Sequence, residues 1–446
     1  MDMKYLKAGY VLDERERENK YLDGYNYWWA YIAEITDRMG LTAEPVPFDD
    51  FSEKLNNFSV LFIGEQNCHE SLSDQLEKWI AAGGILIGCN TNGLDQLFGN
   101  EFAQYISQKD DDIAISGELY LEQSKFTSDI HSPLYPDKPL LTASSLRLVK
   151  AVESETLGLV NNLAGITARK RGDGWAFYFG FDLAKTFWVI HQGRPVDKDY
   201  DGDGYFRTCD AIITGSYEPA IPYTDELVLL LQNMIAVQPY PMVYSLPPDG
   251  DVIPDLMLFY AGDDEGGNDI QLMSAEYMHS RGLPYHINCM PVNGRFGVDK
   301  SNIGRLADLG TDTSLHFDFI TGFSHPCGFD KSDIELQTAM YVDHFGKLPV
   351  CANMHYLRWA DWIEPAVWMM EEGIKSSNAH AHVLSKKLNP INEVGFAFGT
   401  SFPHFCYSDY KTGNKKLDFL QLPITAYEVG YEDDRVDQPT IEKALQ

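Results

Sequence analysis

The sequence has little positive charge, and this shortage narrows the classes of partner. Its 446 residues carry 35 Lys and Arg against 66 Asp and Glu, a formal net charge of −31. Nucleic-acid phosphates and anionic membrane surfaces select basic proteins, so we expect neither as a partner. Neutral or cationic small molecules are the better expectation. The net charge does not determine the oligomeric state, and a homo-oligomer is possible.

Long apolar runs and paired cysteines are also missing. No stretch has the length or character of a signal peptide or a membrane-spanning helix, and the start, MDMKYLKAGYVLDERERENK, is no exception. The seven cysteines are scattered and include no CxxC pair, which is typical of reduced thiols. We therefore expect a cytoplasmic protein.

The sequence does contain core material for two domains. Hydrophobic residues make up 44% and aromatic residues 13% of a chain that is longer than one core usually supports. Five prolines fall within residues 237–255, a stretch without helical or strand periodicity, which favours a domain boundary there. We place the domains at residues 1–240 and 241–446.

Short apolar strands alternate with amphipathic helices in both predicted domains. In the first, the strands SVLFIG (59–64) and GGILIGCN (83–90) flank the helix SDQLEKWIAAGG (73–84), which predicts an α/β fold with a parallel sheet. In the second, repeated strand–helix units over about 200 residues suggest a closed or nearly closed parallel (β/α) barrel.

Histidines concentrate in the second domain. Nine of the twelve histidines follow residue 250, and the apolar start of FYAGDDEGGND leads directly to Asp263 and Asp264. Adjacent strand residues point to opposite sides, so either the segment is a loop tip or each carboxylate has its own partner. An Asp and two histidines that converge with open positions suit a divalent metal that activates water.

From this motif onward, over about residues 250–425, the chain resembles the polysaccharide deacetylase (NodB-homology) family. That family opens with an apolar strand followed by Asp-Asp-Gly. The resemblance implies a distorted (β/α) barrel in which Asp263 is the catalytic base and Asp264 a metal ligand. It makes His316, in TSLHFDF, the first histidine ligand of a divalent transition metal, with zinc as the expected ion.

The remaining family positions are less regular in this chain. The family spaces its two histidines as His-x-x-x-His, whereas His316 and His325 are nine apart. Both His325 and His355 therefore stay open as the second histidine ligand. His404, in TSFPHF, lies where the family has the histidine that acts as general acid.

Three residues next to this region are candidates for binding sugar. Arg358, Trp359 and Trp362 are predicted to line a substrate pocket, because flat aromatic rings suit the apolar faces of sugars. Core packing explains the same three residues equally well.

The first half, over about residues 5–238, resembles class I glutamine amidotransferase-like or ThuA-like proteins, which implies a flavodoxin-like fold. The amidotransferase nucleophile stands in a G-x-C-x-G elbow, and neither Cys68 nor Cys89 has that setting. We therefore expect this domain to shape a pocket or an oligomer interface rather than to perform thiol catalysis.

An acidic segment, DYDGDGYFRTCD, has the spacing of a calcium loop. Residues Asp199, Asp201, Asp203 and Asp210 occupy ligand positions of such a loop. Gly193 and Pro195 lie just upstream, so the usual entering helix is missing. A calcium site, a solvated acidic turn and a loop that reaches the second domain's pocket all stay open.

Together these patterns predict a metal-dependent hydrolase that removes an acyl group from a small carbohydrate or a related amide. Metal-activated water attacks, Asp263 takes a proton, and His404 protonates the leaving group. A glycoside hydrolase that uses paired carboxylates is one alternative. A non-catalytic carbohydrate-binding protein is the other.

Overall fold

The computed structural model describes residues 7–65, 70–130, 135, 137–215, 217–243, 250, 252, 259, 261–267, 269–321, 328–381 and 395–425. The chain forms two compact units. Unit 1 comprises Met1–His191, Ile221–Pro247 and Tyr407–Lys415, and unit 2 comprises Gln192–Ala220, Pro248–Cys406 and Lys416–Gln446. The domain boundary after residue 240 stays a prediction, and the packing adds that residues 192–220 fold with the later part of the chain.

The helices and strands follow one another as expected of an α/β protein. The helices are α1 (Glu14–Leu22), α2 (Ile32–Arg38), α3 (Phe51–Lys54), α4 (Glu70–Ala81), α5 (Leu183–Gln192), α6 (Thr208–Ala211), α7 (Tyr223–Ile235), α8 (Ile270–Ser280), α9 (Ile303–Asp308), α10 (Lys331–Phe345) and α11 (Glu364–Glu371). The strands are β1 (Ala8–Leu12), β2 (Ala43–Pro47), β3 (Val60–Ile63), β4 (Ile85–Cys89), β5 (Asn100–Ile106), β6 (Gly117–Leu121), β7 (Leu140–Thr142), β8 (Leu146–Ala151), β9 (Glu155–Val160), β10 (Leu163–Arg171), β11 (Gly174–Phe179), β12 (Ala261–Asp264), β13 (Tyr285–Cys289), β14 (Thr311–Phe317), β15 (Ala352–Met354), β16 (Ser376–Ser377), β17 (His404–Tyr407) and β18 (Lys416–Gln421). None of the helices described is long and apolar enough to cross a bilayer.

The sheet of unit 1 is parallel on one side and antiparallel on the other. Its parallel part has the order β2-β1-β3-β4-β11, and β10, β9, β6 and β7 extend it. The order β2-β1-β3-β4 is that of flavodoxin-like sheets. On the predicted helix α4, Leu76, Trp79 and Ile80 are buried against strand residues such as Leu61 and Leu86. The parallel α/β sheet predicted for the first half is therefore present.

The sheet of unit 2 has the order β12-β13-β14-β15-β16-β18-β17. Neighbouring strands from β12 to β16, and β16 with β18, pair in parallel. Helices α8 to α11 each follow one of the strands β12 to β15, as βα units require. In the part of the chain that the structure describes, no pairing joins β12 to β17, so closure into a barrel of the deacetylase type stays a prediction.

Candidate functional site

Polar side chains from four neighbouring strands of unit 2 form a row at the carboxyl ends of the strands. The parallel register sets Asp263 beside Asn288, and Asn288 beside Ser314. Two positions beyond Ser314, His316 is set beside Asn353. Because side chains alternate between the faces of a sheet, these five residues share one face. Active sites of parallel βα folds lie at this edge.

Asp263 is the best-fixed carboxylate of this row. The Nδ2 atom of Asn288 donates to its Oδ1 at 2.7 Å, and Nδ2 of Asn353 lies 3.2 Å from both carboxylate oxygens. The Nδ1 atom of His316 is 3.9 Å from the same Oδ1. The Asp263 side chain keeps 36% of its surface exposed, whereas that of His316 keeps 2%. Two buried amides therefore hold a carboxylate that solvent and a ligand can reach.

A second carboxylate, Glu265, lies on the same side. Its Oε1 is 3.1 Å from Nδ1 of His355, which follows β15. The rings of His316 and His355 have centroids 5.3 Å apart. The next residue, Tyr356, has a φ of 59°, so the chain turns sharply after His355. Two carboxylates and two histidines are thus gathered at the ends of three strands.

Several buried polar atoms of this cluster lack partners. In the described residues, Nδ1 of His316 and Oδ1 of Asn288 form no hydrogen bond. Burial lowers the pKa of His316, and the charge of Asp263 opposes that shift. An orphaned buried atom costs free energy unless water or a ligand satisfies it. The cluster therefore has the character of a binding site rather than of a closed core.

Asp264 faces the other way. It is set beside the buried Cys289, on the opposite face of the sheet from Asp263. Its Oδ1 accepts hydrogen bonds of 3.1 Å from the backbone N–H groups of Gly266 and Gly267. Burial raises the pKa of the Asp264 carboxyl. Each of the two adjacent acids thus has its own partners, and Asp264 holds the turn that leads into α8.

The predicted metal ligands do not converge in the described residues. There, groups of three His, Cys or carboxylate donor atoms within 4.8 Å of one another occur at the acidic loop, and Asp264, His316 and His355 do not form such a group. His325 lies outside the described residues. A zinc site therefore stays a prediction.

His404 belongs to a second pair of buried histidines. Its ring centroid is 6.2 Å from that of His380, which stacks on Phe398 at 4.2 Å. Burial and the neighbouring His404 lower the pKa of His380. His404 lies in β17, at the opposite end of the strand order from Asp263. Its role as general acid stays a prediction.

Arg358, Trp359 and Trp362 are packed inside unit 2. Their exposed fractions are 0%, 3% and 9%. The indole of Trp359 donates to the carbonyl of Trp362 at 3.0 Å, and the indole of Trp362 donates to the carbonyl of Gly193 at 2.9 Å. Rings buried in this way present no face to a sugar. This burial favours the alternative of core packing, and the pocket-lining interpretation stays a prediction.

The acidic loop uses its carboxylates internally. Asp199 and Asp210 each accept three hydrogen bonds from backbone N–H groups. The guanidinium of Arg207 pairs with Asp203 and lies 4.0 Å from Asp201. Burial raises the pKa of Asp199, but its backbone donors outweigh burial and hold the pKa below its usual value. Calcium binding stays a prediction, and a calcium ion would have to compete with Arg207.

Neither cysteine considered as a nucleophile in unit 1 gains support from the structure. Cys89 is fully buried at the end of β4, where burial raises the pKa of its thiol. A nucleophile needs the opposite, an accessible thiol with a lowered pKa. Cys68 lies outside the described residues.

Three members of the cluster were not among the residues predicted from the sequence, namely Asn288, Asn353 and Glu265. The first two stand near the ends of predicted strands, in YHINCM and LPVCANMHY. Counting alternate positions back from each strand end puts both on the face of Asp263. This alternation of strand side chains was the sequence signal that could have identified Asn288 and Asn353. The contact between Glu265 and His355 joins residues 90 positions apart, so no local sequence pattern could predict it.

Lowering the pH from 7 to 5 is expected to destabilise unit 2. Burial lowers the pKa of His316 and of His380, so the unfolded chain binds protons that the folded chain does not. This stability is present above the unfolded pKa of about 6.5, and is lost below it by up to about 1.4 kcal/mol per pH unit for each histidine. Urea unfolding from pH 5 to 7 measures the slope.

Variants separate the contribution of these two histidines to the pH dependence of stability from that of other groups. Asp264 acts with the opposite sign, because burial raises its pKa. The slopes of His316→Asn and His380→Phe should each be smaller than that of the wild type, and that of the exposed-site control His279→Gln should match it. Wild-type slopes in both core variants would contradict the assignment.

Comparisons with known proteins give partial likenesses. No family model and no curated protein matches the chain. A β-galactosidase from Bacillus circulans sp. alkalophilus is 13% identical, with a TM-score of 0.33, over 41% of this chain and 30% of that chain. The exo-β-1,4-mannosidase of Opitutaceae bacterium strain TAV5 is 12% identical, with a TM-score of 0.28, over 40% and 32%.

A third structure is matched over nearly its whole length. It is a ThuA-like protein from Bacteroides uniformis ATCC 8492, 11% identical with a TM-score of 0.29, over 43% of this chain and 94% of that chain. The chain thus spans about a third of the two glycosidases. With TM-scores below 0.5, none of these likenesses carries an argument about activity.

Proposed function

We propose that unit 2 hydrolyses the glycosidic bond of a small neutral carbohydrate, with Asp263 and Glu265 as its two carboxyl groups. The observation that carries this proposal is the fixed and accessible Asp263, held by Asn288 and Asn353 and close to an unpartnered nitrogen of His316. Glycosidases place two carboxyl groups on either side of the bond that they break.

The two carboxyl groups have different surroundings, which suits different roles. Asp263 accepts bonds from two neutral amides, so its negative charge is positioned to meet the positive charge that develops on the sugar ring. Glu265 contacts the imidazole of His355, which can supply a proton to it. We assign Asp263 as nucleophile or base and Glu265 as proton donor to the leaving oxygen.

Their spacing along the chain supports a pair. Glu265 directly follows the last residue of β12, and consecutive Cα atoms are about 3.8 Å apart, so the Cα atoms of Asp263 and Glu265 are at most about 7.6 Å apart. Carboxyl groups of glycosidases stand about 5–5.5 Å apart in retaining enzymes and about 6.5–9.5 Å apart in inverting enzymes. The net charge of −31 favours a neutral substrate over an anionic one.

Removal of an acyl group is the second candidate. It is favoured by the closeness of Asp263 and His316, the two residues that the deacetylase resemblance assigns as base and first histidine ligand. Asp263 keeps the role of base in this reaction. The residues that would hold the metal are not assigned, because Asp264 faces away from that cluster and His325 lies outside the described residues.

The experiment that tests the proposal compares two products. The purified full chain is incubated with a panel of 4-nitrophenyl glycosides and with a panel of acetylated sugars, each with and without a chelator. We expect nitrophenol release that the chelator does not change. Chelator-sensitive acetate release without nitrophenol would replace the proposal with acyl hydrolysis. Sugar binding with neither product would leave the non-catalytic binding protein.

A further inference from the structure

Unit 1 contains a crevice that the proposed hydrolysis does not use. It lies at the carboxyl ends of the parallel strands, where Glu65 follows β3, Asn90 follows β4 and Asp182 follows β11. Two cavities meet there and share Glu65 as a lining residue, and the larger holds about 1270 Å³ of empty space out to its open mouth. Flavodoxin-like sheets bind ligands at this edge, beside the switch point between β1 and β3.

The cations of the crevice are already satisfied by the protein. The ammonium of Lys185 donates to Oε1 of Gln108 at 2.9 Å and to the carbonyl of Asp110 at 3.0 Å. Lys20 donates to the carboxylate of Asp110 at 3.0 Å. By contrast, Glu65 forms no hydrogen bond or ion pair with any residue that the structure describes. One accessible carboxylate is therefore left for a ligand.

Asn90 independently indicates that a hydrogen-bond donor is missing from this cavity. Its side chain is 3% exposed and lines the larger cavity. Its Oδ1 accepts no hydrogen bond from the described residues. The backbone is held in the left-handed region at a φ of 53°, where its N–H donates to the carbonyl of Phe179 at 2.7 Å. A buried amide oxygen in such a position calls for a donor, which a ligand can provide.

Another part of the cavity lining is aromatic and exposed. Phe102 and Tyr105, both on β5, keep 48% and 49% of their surfaces accessible and line the same cavity as Glu65. The guanidinium of Arg147 lies 4.9 Å from the ring of Phe102 and forms a bidentate pair with Asp95, which fixes this part of the lining. Exposed rings beside a free carboxylate suit a ligand that has both a flat or apolar face and a positive charge.

We propose that this crevice is a second ligand site, which binds a small protonated amine that carries a ring. The ammonium donates to the carboxylate of Glu65 and to Oδ1 of Asn90, and the ring packs on Phe102 and Tyr105. Amino sugars and arylalkylamines share this chemistry. The overall charge of −31 draws cations toward the protein. The site is independent of the hydrolysis proposed for unit 2.

The charges around Glu65 make binding depend on pH. Glu65 is open to the cavity, but the surrounding protein displaces much of the water around it. This desolvation and the charge of Asp182 raise the pKa of Glu65 to about 7, with Asp110 and Glu16 adding to the rise and Lys20 opposing it. An ammonium binds the charged carboxylate, so its affinity falls by up to about tenfold per pH unit below 7. Binding near pH 7 should release a fraction of a proton, because the ligand favours the charged form.

Calorimetry on the full chain tests the proposal with glucosamine and phenethylamine as probes and glucose as the uncharged control. We expect at least one amine to bind and glucose to bind much more weakly. The affinity of phenethylamine, which stays protonated over this range, should be up to about tenfold higher at pH 8 than at pH 6. Glu65→Gln should weaken binding at least tenfold and remove the pH dependence. Asn90→Gly, which keeps the left-handed backbone, should also weaken it. Glu18→Gln, an exposed residue of α1, should change nothing.

Some outcomes distinguish the two kinds of amine, and others overturn the proposal. Binding of glucosamine alone supports an amino sugar, and binding of phenethylamine alone supports an arylalkylamine. The proposal is overturned if neither amine binds at pH 8, if glucose binds as tightly as glucosamine, or if Glu65→Gln binds like the wild type. Glycoside hydrolysis is measured separately and stands or falls without this result.

Discussion

Replacing Asp263 with asparagine is expected to lower kcat/KM for glycoside hydrolysis by about 10³-fold or more, with the fold intact. The substitution keeps size and shape but removes the charge that Asn288 and Asn353 position. An enzyme that loses its positioned acid–base carboxyl loses about 10²–10⁴ in rate, and loss of a nucleophile adds to that. The amide oxygen of the variant can still accept from Asn288 and Asn353, but its NH2 group replaces the Oδ2 that Asn353 also approaches.

The matched control is Asp308→Asn, an exposed aspartate at the end of α9. It should keep wild-type kcat/KM, and both variants should keep the wild-type Tm within a few degrees. A kcat/KM within tenfold of the wild type in Asp263→Asn, measured on the same glycoside, would remove this residue from the chemistry. A drop in Tm alongside the lost activity would point instead to a structural role for the three-residue contact.

Replacing Trp359 with alanine is expected to destabilise unit 2 by about 3–5 kcal/mol, the usual cost of truncating a buried aromatic residue. The ring is 3% exposed, donates to the carbonyl of Trp362 and packs edge-on against His380 with centroids 5.3 Å apart. Truncation leaves a cavity and removes the hydrogen bond to the Trp362 carbonyl. Urea unfolding of the full chain, followed by the fluorescence of the remaining tryptophans, gives the free energy.

Two comparisons separate packing from substrate binding at this position. Leu336→Ala, at a side chain of α10 that is 61% exposed, should change the free energy of unfolding by no more than about 0.5 kcal/mol. If Trp359→Ala instead kept its stability and raised only KM, the original interpretation of this residue as part of a sugar pocket would be restored.

The alternation of strand side chains was predictable, but the choice of face was not. Adjacent residues of a strand point to opposite sides, so Asp263 and Asp264 had to have different partners. The family resemblance assigned them both to one metal-centred site. In the structure, Asp264 bonds to the turn of Gly266 and Gly267, and Asp263 bonds to amides from other strands. The partners of Asp263 lie 25 and 90 residues away along the chain, beyond the reach of any local pattern.

Amphipathic periodicity located the helices, since it depends on residues within a few turns of one another. The segment SDQLEKWIAAGG (73–84), predicted as a helix, overlaps α4 (Glu70–Ala81) over most of its length. The strand β2 was missed because two prolines dilute its pattern. Proline is tolerated there since β2 is an edge strand, a fact that belongs to the sheet.

By itself, the sequence determined the α/β alternation, the acidic character of the chain and the concentration of histidines after residue 250, because composition and short-range periodicity fix these. The tertiary structure decided which of those groups meet. It buried Trp359 and Trp362, turned Asp264 away from His316, and gathered Asn288 and Asn353 around Asp263. Such choices depend on strand register and on packing between distant segments, and their free energies arise only when the chain is folded.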